Sequence, residues 1–93
     1  MANNIVVSYD LKTPGQNYKA VADKIKELGG WAKVNESFWY VDSTFSATEA
    51  RDHIRTALDA NDSLFVLSAS SGQAAWHNLS DQVGRYVRDH WNQ

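Results

Sequence analysis

The chain of 93 residues has no cysteine, one proline, and no large excess of charge of either sign. Without thiols, neither a disulfide framework nor a thiolate-held zinc ion can form. No apolar run approaches the roughly 18 residues of a helical membrane span. The opening Met1-Ala2-Asn3-Asn4 has neither the basic stretch nor the long apolar stretch of a secretory signal, so a cytoplasmic protein is expected, with no membrane partner. Nine Lys/Arg stand against eleven Asp/Glu, a net charge of −2. Nucleic-acid binders use a basic stripe that releases counterions on binding. Here Lys12, Lys19, Lys24, Lys26, Lys33, Arg51, Arg55, Arg85 and Arg88 are scattered. Bulk charge therefore argues against strong nucleic-acid binding, although a local patch stays open.

What is present suffices for one domain over residues 1–93. The length is near the lower limit at which one core holds without staples, and 43% hydrophobic content with four tryptophans can supply that core. Ile5-Val6-Val7-Ser8-Tyr9-Asp10 reads as a first strand that delivers Asp10 to its exposed end. Lys12-Thr13-Pro14-Gly15 is a turn. From Gln16 to Leu28, Tyr18, Val21, Ala22, Ile25 and Leu28 fall on one helical face, and Gly29-Gly30 supplies a stop.

Trp31 to Ser43 is aromatic and β-branched without helical period. It reads as a hairpin, Trp31–Asn35 and Ser37–Ser43, with one long bent strand as the alternative. Ser46 and Glu49 form a capping box ahead of a helix that buries Ala47, Ala50, Ile54, Ala57 and Leu58. Leu64-Phe65-Val66-Leu67 is a strand, Ser70-Ser71-Gly72 a loop. Leu79 to about Trp91 is a third helix, capped by Asn78. The order β-α-β-β-α-β followed by a helix is the split βαβ pattern of an α+β, ferredoxin-like sandwich with an added C-terminal helix. Its first and third strands should be central, with two helices on one face.

The strands alternate apolar residues onto both faces: Ile5, Val7 and Tyr9 against Val6, and Leu64 and Val66 against Phe65 and Leu67. An open antiparallel sheet keeps one face solvated, so the second face needs a cover. The C-terminal helix and a second copy of the chain are the two candidates, and a homodimer is the expectation.

The topology also gathers Asp10, Lys12, Asn35, Glu36, Ser37, Asp59 and Asp62 at one rim. Carboxylates there suit a hard cation such as Mg²⁺. For Asn35, Glu36, Asp59 and Asp62 the plainer reading is turn chemistry, and for Asp10 it is a turn or cap. His53, His77 and His90 have no metal-ligand spacing and read as surface or boundary residues. No Ser/His/Asp set is spaced for hydrolysis, and Ser70-Ser71-Gly72 lacks the lysine of a phosphate-binding loop. Trp31, Trp39, Trp76 and Trp91 can stack bases. Trp39 belongs to the core, whereas Trp76 and Trp91 suit a protein interface or the packing of the third helix.

Tyr9-Asp10, Gly29 and Val34-Asn35-Glu36-Ser37-Phe38-Trp39 resemble the small subunit of the CRISPR adaptation complex, the Cas-two family. That family opens on a strand ending Tyr-Asp and carries a Val-Gln-x-Ser-Val-Phe signature. Virulence-associated D endoribonucleases, and small bacterial and phage proteins labelled SinR-like, are similar. The resemblance spans residues 4 to 69. It implies a ferredoxin-like homodimer in a phage or host-defence setting, with Asp10 as catalytic and metal-binding residue, Ser37 beside it, and Mg²⁺ as the only cofactor. Paired Asp10 carboxylates would then activate water against a phosphodiester. The family's arginines after the first strand are missing, replaced by Pro14-Gly15-Gln16-Asn17-Tyr18, and its swapped C-terminal strand has no counterpart. The readings left open are a non-enzymatic homodimeric interaction protein with a possible protein partner, a metal-dependent nuclease, and a small-ligand or nucleotide-binding dimer.

Overall fold

A computed structural model describes residues 2–12, 18–69 and 73–92. The turn read at Thr13-Pro14-Gly15 and the loop at Ser70-Ser71-Gly72 lie outside the described residues. The elements follow the order β1 (Asn3–Asp10), α1 (Tyr18–Lys26), β2 (Gly29–Asn35), β3 (Phe38–Ser43), α2 (Ala47–Arg55), β4 (Ser63–Ala69) and α3 (Asp81–His90). Over the described residues the result is a mixed α+β domain with one antiparallel four-stranded sheet and three helices. Its strand order is β2-β3-β1-β4, which puts β1 and β3 in the middle.

Side chains opposite each other in register share a face, so pairing sorts the apolar residues into two sets. Ile5 faces Val41 and Val7 faces Trp39, with Val66 and Leu64 beside Val7 and Tyr9 across β4. On this side α1 contributes Val21 and Ile25, and α2 contributes Ala50 and Ile54, all fully buried. Burying such a side chain contributes about 1.5–3 kcal/mol, so this layer is the main source of stability. The capping box at α2 forms as its sequence predicts. Ser46 Oγ accepts from Glu49 N at 3.1 Å, and Glu49 Oε1 accepts from Ser46 N at 2.8 Å.

Several boundaries differ from the sequence reading, three of them for a visible physical reason. First, β2 begins at Gly29, so the glycine pair opens the strand instead of standing outside it. Gly29 has φ 157°, and a Cβ there would run into the Asp42 carbonyl oxygen of β3. Only glycine lets the two backbones approach at that point. Second, α2 ends at Arg55, and Ala57 and Leu58 follow in a tightened turn, donating to Ile54 O and Arg55 O. Third, α3 is capped by Ser80, whose Oγ accepts from Val83 N at 3.2 Å, and not by Asn78. Asn78 instead takes the left-handed conformation, φ 62°, in the approach to the helix.

The second face is divided. Ala32, Tyr40 and Val87 form a smaller core with Val34, Val83, Tyr86 and Trp91, so α3 lies over β2 and β3. Trp91 stacks on Tyr40 with ring centroids 5.7 Å apart. Across β1 and β4 the same face carries Val6, Ser8, Phe65 and Leu67, with Phe38 at the start of β3. Phe65 is 66% exposed, Leu67 47% and Phe38 37%. Among the described residues nothing packs over this half. Of the two covers that the sequence left open, the helix takes one half of the face, and the other half is bare among the described residues.

Candidate functional site

Two regions carry features beyond packing: the rim at the end of β1, and the bare half of the sheet. At the rim the strand ends meet as expected. Asp10 pairs in register with Ser63, the β2–β3 turn lies alongside, and Tyr9 N donates to Ser37 O at 3.2 Å. Strand β1 runs past its last buried residue, Tyr9, so the Asp10 side chain emerges 65% exposed. It does not stand alone. Lys12 Nζ lies 2.5 Å from its Oδ2, and the hydrogen bond and charge of Asp10 raise the Lys12 amine above its ordinary value.

The other carboxylates at the rim have local work. Asp62 Oδ1 accepts from Lys12 N at 2.9 Å and its Oδ2 from Asp59 N at 2.8 Å. Asp62 thereby ties the stretch after β1 to the turn before β4, which is turn chemistry. Asn35 and Glu36 are exposed at the hairpin. Among the described residues no three of His, Cys, Asp or Glu converge as a metal-holding group. In one copy the charged group against Asp10 is the Lys12 ammonium, which competes with any cation for its oxygens.

Beside Ser37 a groove of about 410 Å³ opens between α1 and the β2–β3 hairpin. Tyr9 and Trp39 form its floor, with Trp39 Nε1 donating to Tyr9 Oη at 3.3 Å, and Tyr18, Lys19 and Lys33 stand at its sides. Sequence reasoning did not single out Tyr18 or Lys33. The signal was available for Lys33, because alternation along Trp31-Ala32-Lys33 puts it on the Trp31 face of β2.

The remaining candidates resolve into packing. His53 Nε2 lies 2.7 Å from Glu27 Oε1, tying α2 to α1. His90 stacks on Tyr86 at 3.9 Å, and exposed His77 has no role that the geometry assigns. Trp39 is buried in the core, Trp91 covers Tyr40, and Trp76 lies against Gly84 of α3 while 42% exposed.

The bare half-face differs from the rim in being uncharged. Strand β4 contains no ionisable residue over Ser63–Ala69, and Val6, Ser8 and Phe38 add none. It is also an edge strand without the lysine, proline or bulge that usually shields such edges.

No family model and no curated protein matches the sequence. Among solved structures, the chain is similar to a hypothetical protein, TT1823, from Thermus thermophilus. The TM-score is 0.63 and the identity 18%, over 86% of this chain and 96% of that one. At that identity the likeness concerns the fold alone.

Proposed function

We propose that the chain is a small interaction protein on a ferredoxin-like scaffold with an added C-terminal helix, working as a homodimer joined through the bare half of its sheet. The single observation that carries this reading is the contrast across one face. Where α3 lies, Tyr40 is 2% exposed; two strands away, Phe65 is 66% exposed. Large apolar side chains clustered on a face mark an association surface. The choice of a second copy as occupant follows from charge. A chain of net charge −2 repels its own kind, and a patch without ionisable groups is where two copies can meet without a like-charge cost. The strand order β2-β3-β1-β4, with α1 and α2 on one face, supports the scaffold.

Light scattering on the purified protein at tens of micromolar tests the reading. Twice the chain mass is expected, with Phe65→Glu and Leu67→Glu reducing it to the mass of one chain while circular dichroism is unchanged. A wild-type monomer over that range would overturn it.

A further inference from the structure

We propose that the free edge of β2 takes up an extended peptide segment in which acidic and apolar side chains alternate, adding it to the sheet as a fifth strand. Strand β2 is the outer strand opposite β4, and Gly29, Gly30, Trp31 and Lys33 are exposed along it. Its outward N–H and C=O groups have no partner strand among the described residues, which is the setting in which main-chain pairing with a guest segment gives affinity.

The two flanks of this edge differ in chemistry. Trp31 and Lys33 oppose Val41 and Trp39, so they lie on the α1 side. There Lys26 Nζ sits 4.6 Å from the Trp31 ring centre and Lys33 Nζ 5.9 Å from that of Trp39, while Trp31 and Trp39 are 5.4 Å apart. Among the described residues neither lysine has a carboxylate within ion-pair distance, although the Lys26 charge is felt by Asp23 one turn earlier on α1. The nearby acids are engaged elsewhere, Asp23 with Lys19, and Glu27 with Lys24 and His53. Glu36 bounds this cationic flank at the hairpin turn. On the other side, Ala32 opposes Tyr40, and a groove of about 560 Å³ runs between β2 and α3, lined by Ala32, Val83, Tyr86 and Gln82.

A guest strand places successive side chains on alternate faces. Acidic residues would therefore meet Lys26 and Lys33, and apolar residues would enter the groove beside Val83 and Tyr86. The irregular register between Lys33 and Asn35 limits the pairing stretch to Gly29–Lys33. A second copy does not suit this edge, because its β2 would bring a further Lys26 and Lys33 to a flank that already carries two lysines; lysine on an edge discourages self-pairing and favours an oppositely charged guest.

The test uses the isotope-labelled full chain and two peptides, Glu-Val-Glu-Phe-Glu-Val-Glu and its counterpart with every Glu replaced by Lys. The acidic peptide is expected to shift the backbone amides of Gly29–Lys33, with binding weakened about fivefold by Lys33→Glu, the scale of one exposed charge pair reversed. Lys26→Glu should act in the same direction. The Phe65→Glu chain should bind as well as wild type, so a failure here is separable from a failure of the dimer. Equal binding of the lysine peptide, shifts confined to other strands, or no shift at millimolar peptide would overturn the proposal. So would a deoxythymidine heptamer that binds the same amides more tightly than the acidic peptide.

Discussion

The side-chain amide of Asn4 closes on the backbone of Asn92, 88 positions away: Nδ2 donates to Asn92 O at 2.6 Å, and Oδ1 accepts from Asn92 N at 2.7 Å. Asn4 is completely buried on β1, and Asn92 Nδ2 reaches on to Asp42 Oδ1 at 2.9 Å. The pairing fastens the end of the chain just past α3, and so fixes which half of the sheet the helix covers. Asn4→Ala removes both bonds, together with the one from Asn92 Nδ2 to Oδ1 at 3.1 Å, and leaves Asn92 N and O to find water. A loss of about 2–3 kcal/mol in urea unfolding is expected, the scale of a few net bonds in a partly buried junction. Faster amide exchange confined to α3 would distinguish release of the helix from a general loss of packing.

Tyr40 adds a pH dependence to the same junction. Its hydroxyl donates to His90 O at 2.7 Å and lies 3.1 Å from Asn4 Oδ1. Burial, with the Asp42 carboxylate a smaller cause, pushes the phenol up to about 12 from 10.0. A folded-state value above the unfolded one means the unfolded chain loses its proton first. Stability is therefore full below pH 10 and falls as pH rises toward 12. Urea midpoints measured across that window should fall for wild type and fall less for Tyr40→Phe, which has no hydroxyl to ionise there.

Two glycines should respond to alanine with opposite sign. Gly29→Ala forces a side chain against the Asp42 carbonyl at φ 157° and is expected to cost about 1–3 kcal/mol. Gly84 lies within α3, where a Cβ would meet Trp76 Nε1 at 3.0 Å. Trp76 is partly exposed and can yield, so the gain in helix propensity, up to about 1 kcal/mol, should dominate. Thermal unfolding of the two variants decides the signs.

Asp10→Ala should leave the urea midpoint at the wild-type value, because its ion pair with Lys12 is solvent-exposed on both sides. The same variant tests the resemblance to metal-dependent nucleases. An interaction protein predicts no cleavage of RNA or DNA by either form with Mg²⁺ or Mn²⁺. Metal-dependent cleavage by the wild type that Asp10→Ala abolishes would establish the nuclease in its place.

Local chemistry made much of this fold legible from the residues alone. The spacing of Val21 and Ile25 marks the buried face of α1, Ser46 and Glu49 write the start of α2, and Ile5, Val7 and Tyr9 alternate as a strand must. These depend on neighbours within a few positions, so a sequence displays them directly. That both faces of the sheet are apolar was equally plain. Which part of the second face would be covered was not, because the answer lies in Asn4 meeting Asn92 and Trp91 meeting Tyr40, pairs with no local signature. The start of β2 was hidden for a related reason: Gly29 serves the approach of β3, and a Gly-Gly pair after a helix looks like a stop. At the rim, composition announced the carboxylates, while only the folded chain shows Asp10 held by Lys12 and Asp62 bound to backbone amides. Periodicity and caps settle the elements; long-range contacts decide what each face is left to do.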